Sequence, residues 1–459
     1  MTMHKTPSCI LSWAVLAACA GSGGDERPAP TLDYGTAPQL LRVGEAVALA
    51  GLSVAGADFA AAPPLPAGLV LDPATGAVAG VPTAASSLQE HEVTGRVGEQ
   101  AVRAMLQLAI GPALPSEVGS LEAGFGITRF APLTQAPGKF ALAPDGSVFV
   151  AERSSGVIRR LDPSGALQST PFATVTVTTG SHRGLLGLVL SPDFAVDRRV
   201  FALATVPAGG GKPERSVLYR WTDVGGLGQG RVELLDDLPV AQINNGGALC
   251  FDASGMLVVS IGDVEVPALA QSGGSYAGKL LRLDPTDGTA ASGNPAAGDR
   301  ILCRGLRNVW ALGVEPASGA LFAADNGPAN DDELLLVQPG RNFEWGAPPG
   351  SQFGSETGLV LRLWSDVVVP TGLVFPAAAS ATDWPTDHRD SLYLALYDEE
   401  IVLRLVVSGA LRTEIDREAT FLAFTPNGTD HKPVDLQRAA DGSLWLLTFT
   451  SIYRIDRIR

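Results

Sequence analysis

Histidine, cysteine and lysine are scarce in this chain, and each shortage excludes something. The four cysteines are Cys9, Cys19, Cys250 and Cys303. They form no CxxC and no Cys/His metal spacing, so neither a zinc site nor a disulfide scaffold is indicated. Positive charge is short as well: 33 Lys+Arg against 48 Asp+Glu leave a net charge of −15, and no basic cluster of five or more residues occurs. A phosphate-binding face needs such a cluster, which excludes nucleic acid as a partner. No window reaches 18 uninterrupted apolar residues, so no membrane-spanning helix is expected. Gly 53 and Pro 33 together make about a fifth of the 459 residues, below the level of a low-complexity chain. The length allows one large domain plus a small one, each with a core.

The N-terminus reads as an address. Lys5 precedes an apolar run from Cys9 to Ala18 that is too short to span a bilayer. The run ends Leu16-Ala17-Ala18-Cys19 and is followed by Ala20-Gly21-Ser22-Gly23-Gly24. This resembles a bacterial lipoprotein signal, residues 1–19, and the resemblance implies lipidation at Cys19. An ordinary secretory signal cut near Ala20 is the alternative; in both cases the chain is expected to be exported, and lipidation would anchor it to the bacterial cell envelope. Residues 20–30 read as a flexible tether. In an oxidising space Cys250 and Cys303 could pair or stay as separately buried thiols, and both alternatives stay open.

Residues 31–112 carry period-2 stretches such as Arg103-Ala104-Met105-Leu106-Gln107-Leu108, with Asp-Pro and Thr-Gly turns about every ten residues. A small β-sandwich is expected. The segment Pro64 to Thr83, with Leu65-Pro66-Ala67-Gly68-Leu69 and Leu71-Asp72-Pro73-Ala74-Thr75-Gly76, resembles immunoglobulin-like modules of bacterial surface proteins. It contains no His/Asp/Glu cluster and is read as a spacer or adhesion-type module without chemistry. A linker is placed at 113–124. From 125 to 459 a polar turn precedes an apolar strand six times, at Asp145, Asp193, Asp252, Pro316, Asp390 and Asp441, and four of the six carry Asp-Gly or Ser-Gly. The mean spacing is about 59 residues, enough for one four-stranded sheet per unit, with no helical periodicity between. Radial repetition hides the edges of such sheets. The expected fold is all-β: a six-bladed β-propeller preceded by a small immunoglobulin-like β-sandwich.

Several segments say more than a propeller requires. Arg183-Gly184-Leu185-Leu186-Gly187-Leu188 through Ser191-Pro192-Asp193-Phe194 is one. Others are Ala151-Glu152-Arg153, Gly278-Lys279-Leu280-Leu281-Arg282-Leu283, Gly305-Leu306-Arg307-Asn308 and Asp325-Asn326-Gly327-Pro328. Asp331-Asp332-Glu333, Gly340-Arg341-Asn342-Phe343-Glu344-Trp345-Gly346 and His431-Lys432-Pro433-Val434-Asp435 complete the set. In this order, over residues 125–459, they resemble the glucose/sorbosone dehydrogenases. These six-bladed enzymes oxidise aldoses with pyrroloquinoline quinone and calcium.

The resemblance implies site residues, and this chain departs at several. The family's base is the histidine of an HxGG turn, oriented by the aspartate of a following GD. Here the turn is Asn244-Asn245-Gly246-Gly247 and the aspartate is Asp263. A carboxamide has donors and an acceptor but does not titrate near neutrality, so Asn244 can position a hydroxyl and cannot deprotonate it. Arg307 is retained as the charge-stabilising group. Cofactor contacts fall on Asn308, Asn326, Asp398 and Lys432; Asp398 stands where the family has a lysine, and Val434 where it has an arginine. Only Lys139, Lys212, Lys279 and Lys432 lie beyond the signal, so the cationic shell for a tricarboxylate quinone is expected to be thin. For calcium the resemblance implies the Gly327 and Pro328 carbonyls at one ion, and Glu333 with the Phe343 carbonyl at another.

Of the five histidines, His4, His91, His182, His388 and His431, two are expected in loops at the channel mouth. His182 and His431 could each stand in as a base. Two functions follow. One is an exported sugar dehydrogenase-like oxidoreductase using pyrroloquinoline quinone and calcium, with an altered site and an unknown electron acceptor. The other is a non-catalytic propeller binding a glycan or protein. Asp263, freed from orienting a histidine, could also serve as a base for another reaction. A cationic pocket beside Gly327-Pro328 favours the quinone; a mouth lined by Asp398, Glu399 and Glu400 opposes it.

Overall fold

Short apolar strands broken by aspartate and glycine turns have one way to hide their faces here, which is to stack sheet against sheet around an axis. The computed structural model describes residues 30–53, 56–347, 359–376, 384–409, 412–425 and 431–458. The signal and lipobox read at 1–19, with Cys19, and most of the tether lie outside the described residues.

Six sheets follow one another in sequence. Blade one is Pro137–Leu142, Val148–Glu152, Val157–Leu161 and Ala173–Thr174; blade two is Leu185–Leu190, Arg199–Val206, Arg215–Val224 and Leu227–Leu238. Blade three is Gly246–Phe251, Leu257–Ile261, Lys279–Leu283 and Ile301–Arg304; blade four is Val309–Val314, Leu321–Asp325, Asp332–Val337 and Leu359–Trp364. Blade five is Pro370–Val374, Ser391–Leu396, Ile401–Ser408 and Glu414–Phe424, with Val118–Leu121 added on its outer edge. Blade six takes Pro433–Arg438, Leu444–Thr448 and Ser451–Arg457 from the end of the chain and Phe125–Pro132 from far upstream. The six first strands touch in order, and that of blade six returns to that of blade one, so the ring is closed.

The cores lie between blades. Phe149, Leu188 and Trp221 share one cluster across blades one and two; Phe201, Leu218 and Leu281 join two to three. Val258 and Leu335 join three to four, and Phe322 and Leu394 join four to five. Phe421 and Tyr453 join five to six, and Trp445 packs with Phe140 to close six onto one.

All six repeat turns sit between the first and second strands of their blades. Aspartate carboxylates close several: Asp145 Oδ1 accepts from Ser147 N at 3.0 Å, Asp252 Oδ1 from Ser254 N at 2.8 Å, and Asp441 Oδ1 from Ser443 N at 2.9 Å. Strands alternate in direction, so these turns occupy one end of the barrel. The second-to-third loops and the crossings between blades occupy the other.

Upstream, Gln39–Arg42, Gln100–Gly111, Ser86–Val97 and Ala57–Ala62 form one sheet, and Val47–Leu49, Val78–Gly80 and Leu69–Leu71 a second. Phe59, Val93, Leu106 and Leu108 of the first pack with Leu69 and Val78 of the second. In the motif read from the sequence, Asp72 Oδ1 accepts from Ala74 N at 2.7 Å, closing the turn. A Cβ on Gly68 would stand 2.0 Å from the Val81 carbonyl oxygen, which explains that glycine. Arg42 fastens this part to the propeller, donating to the carbonyls of Leu121 at 2.9 Å, Glu122 at 2.5 Å and Phe125 at 2.9 Å. No helix of the described residues is long and apolar enough to cross a membrane.

Candidate functional site

The end of the barrel away from the aspartate turns holds a cavity of about 460 Å³, within the range of small-molecule sites. Its lining is drawn from loops of all six blades. It includes Arg153, His182, Asn244, Arg307, Asn308 and Asn326, with Gly327, Pro328, Tyr397 and Val434.

Asn244 opens blade three in the left-handed region, φ 56°, which Asn, Asp and His tolerate best. Its Nδ2 donates to Asp263 Oδ1 at 3.0 Å, and Trp345 Nε1 donates to Asp263 Oδ2 at 2.8 Å. Both carboxylate oxygens of Asp263 are therefore engaged, and Glu265 N adds a third bond at 3.0 Å. Asp263 is buried behind Asn244 and does not line the cavity. Asn244 itself is only 4% exposed, and its Oδ1 has no partner.

Arg307 and Asn308 are set by a second buried carboxylate. Asp325 Oδ2 accepts from Arg307 N at 2.8 Å and Asp325 Oδ1 from Asn308 N at 2.5 Å. Burial pushes the Asp325 carboxyl up to about 6 against the pull of these two amides and the Arg307 charge. The Arg307 guanidinium lies over Trp345 and donates from Nη1 to Asn326 O at 2.7 Å and Gly327 O at 2.5 Å. Asn308 Oδ1 accepts from Gly246 N at 3.1 Å, tying blade four to the Asn244 turn. Asn326 donates from Nδ2 to Asn308 O at 3.1 Å, while its buried Oδ1 has no partner.

The lysines are spent elsewhere. Lys139 is buried against Asp435 at 3.1 Å, and Lys279 donates to the carbonyls of Leu269, Ala270 and Ala277. Lys212 pairs with Asp236. Lys432 meets Asp398 at 3.3 Å and lies over Tyr397, so each of the two cancels the other's charge outside the cavity lining. Asp398, Glu399 and Glu400 do not line the cavity. His431, expected at the mouth, is instead buried and stacked on Phe424 at 5.5 Å; the apolar ring displaces it from the channel.

His182 does reach the mouth. Its Nδ1 accepts from Asn244 N at 3.2 Å, its ring meets Trp310 edge-on, and Asn245 Nδ2 donates to its carbonyl at 2.9 Å. Burial, with Arg153 and Arg307 adding to it, lowers its pKa below the ordinary histidine value. Arg153 belongs to the Ala151-Glu152-Arg153 motif, to which no role attaches from sequence. It lines the cavity, and its buried Nε has no partner.

The two candidate cation positions differ in their donors. Glu333 faces Asp325 across blade four, and burial with Asp325, Asp331 and Asp332 pushes its carboxyl up to about 8. This half-buried carboxyl has no positive partner among the described residues, and hard oxygen donors of this kind suit calcium. At Gly327 the carbonyl already takes the Arg307 guanidinium, so a cation there would share it with a like charge. Phe343 lies buried in the loop after blade four's third strand, its N donating to Arg304 O at 3.0 Å. Cys250 and Cys303 are free thiols in blade three, and burial pushes Cys303 up to about 12.

A closed six-bladed ring with a polar, arginine-bearing site at the loop end of its channel defines a class of small-molecule-binding propellers. Within that class, the chain belongs to the glucose/sorbosone dehydrogenase family, whose model matches residues 134–452. The aldose sugar dehydrogenase YliI of Escherichia coli (strain K12) is 26% identical over 339 residues, 68% of this chain and 86% of that protein. Quinoprotein glucose dehydrogenase B of Acinetobacter calcoaceticus is 27% identical over 232 residues, 44% of this chain and 48% of that one. Among solved structures, a glucose dehydrogenase-type oxidoreductase from Thermus thermophilus is 28% identical with a TM-score of 0.63, covering 72% of this chain and 100% of that one. The aldose sugar dehydrogenase of Streptomyces coelicolor in its pyrroloquinoline quinone-bound form is 25% identical with a TM-score of 0.61, covering 73% and 99%.

Proposed function

We propose that this chain is an exported, lipid-tethered sugar dehydrogenase-like protein whose mouth holds pyrroloquinoline quinone and a sugar, with proton removal crippled at Asn244. The observation that carries this is the Asn244–Asp263 pair. Asn244 lines the site and leaves its one acceptor atom, Oδ1, buried without a donor, and a carboxamide accepts a hydroxyl hydrogen bond without taking the proton. Asp263 does not take over, because its oxygens are held by Asn244, Trp345 and Glu265 and it lies behind the cavity.

The quinone, when bound, supplies the hydride acceptor. Arg307 with Asn308 and Asn326 would hold it beside Gly327 and Pro328, and the apolar wall of Val369, Val434, Tyr397 and Phe449 suits an aromatic plane. Arg307 and Arg153 in the lining, against the single carboxylate Asp332, and the absence of Asp398, Glu399 and Glu400 from it support a quinone over an empty mouth. Glu333 and the Phe343 carbonyl would hold a calcium ion, whose charge would answer the acids of blade four. The test is a spectral titration of the full chain with pyrroloquinoline quinone, with and without calcium, followed by addition of an aldose. Binding with little reduction supports the reading; no binding overturns it and leaves a recognition propeller for a glycan or protein.

A further inference from the structure

We propose that the mouth selects a hydroxylated carboxylic acid, a sugar acid of the uronate kind, and that His182 and Arg153 are the residues that read its carboxylate. The inference rests on the sugar-binding reading above and narrows the substrate class.

Polar groups that line this cavity without a partner are of two opposite kinds. Arg153 and His182 are donors. Arg153 makes no ion pair among the described residues, and its Nε is buried without a partner. His182 is a donor for a geometric reason: its Nδ1 is occupied as an acceptor by the Asn244 backbone N–H, so the neutral ring carries its proton on Nε2. The same bond rules it out as a base at Nε2, which has no lone pair to offer. Asn244 supplies the opposite need. It is 4% exposed, spends its Nδ2 on Asp263 and leaves Oδ1 without a donor.

A buried acceptor left bare is costly, so a ligand that fills this site gains by bringing a hydroxyl to the Asn244 carboxamide. Charge-assisted bonds reward an anion at Arg153, with the His182 N–H adding direction. A neutral aldose satisfies only Asn244. The quinone, assigned to Arg307, Asn308 and Asn326, brings carboxylates and no hydroxyls. A sugar acid satisfies both.

The experiment is binding of glucose, glucuronate and glucuronate methyl ester to the full chain loaded with pyrroloquinoline quinone, repeated on Arg153→Met, Arg153→Lys and His182→Phe. We expect glucuronate to bind at least about tenfold tighter than glucose or the ester, the scale of one charge-assisted hydrogen bond. Arg153→Met and His182→Phe should erase that margin, with thermal melting profiles reporting that the variants fold; Arg153→Lys should keep part of it. ¹⁵N spectra should show His182 protonated on Nε2. Equal binding of glucuronate and glucose overturns this inference and leaves the sugar reading standing. Binding of no sugar at all overturns both. An Arg153→Met variant that weakens the quinone and spares glucuronate assigns the carboxylate to the cofactor and overturns the sugar acid. A ring protonated on Nδ1 overturns the role given to His182.

Discussion

At the scale of single residues, the Asn244 turn is held by close backbone approaches as much as by side chains. A Cβ on Gly262 would stand 2.0 Å from the Asn244 carbonyl oxygen. Gly262→Ala must therefore push the turn out of place, and we expect a loss of about 1–3 kcal/mol of stability, measured by denaturant unfolding, together with loss of ligand binding. The pairing of Asn244 with Asp263 was legible in the sequence because the order of the Asn-Asn-Gly-Gly turn and the Gly-Asp motif places them at the ends of neighbouring strands. Arg153 and Trp345 were visible only as letters in motifs. That Trp345 bonds Asp263 across 82 positions is set by the ring, and no local pattern carries it. His431 and His182 looked alike as loop histidines; Phe424 buries one and Asn244 captures the other.

At the scale of elements, the repeat of aspartate and glycine turns located the blades because each turn closes a first-to-second hairpin by local bonds. The same turns lie at the end of the barrel remote from the site, so they marked the fold and not the chemistry. The closing strand was less legible. Phe125–Pro132 finds its partner Ser451–Arg457 more than 300 positions later, and Val118–Leu121, inside the stretch expected as a linker, pairs with Glu414–Phe424. Glu117 pins this seam, accepting from Tyr453 Oη at 2.7 Å and from Arg129. Burial opposes its charge, but those partners hold it at about 2, below its ordinary 4.5. A depressed carboxylate stabilises the fold fully above the unfolded value and loses that contribution as pH falls through the folded one. Melting temperature should thus fall between about pH 4.5 and 2 more steeply in the native chain than in Glu117→Gln; parallel profiles would remove Glu117 from the seam.

At the scale of the whole molecule, a ring whose cores lie between blades transmits damage in one blade to its neighbours. The Glu333 carboxyl is a weak point in blade four unless a cation meets it. We expect calcium to raise the melting temperature of the native chain by several degrees and chelator to reverse this, with Glu333→Gln removing the calcium increment in calorimetry. An equal calcium response in Glu333→Gln would place the ion elsewhere.

The central claim is that the mouth binds but does not deprotonate. Asn244→His tests it most directly, because a histidine tolerates the same left-handed backbone and would meet Asp263 in the place the carboxamide now holds. The measurement is sugar-dependent dye reduction by the full chain with pyrroloquinoline quinone and calcium, native against Asn244→His. Both should bind the quinone, and the variant should reduce dye about 10²–10⁴-fold faster, the usual worth of a general base. A native chain that already matches the variant's rate would contradict the account.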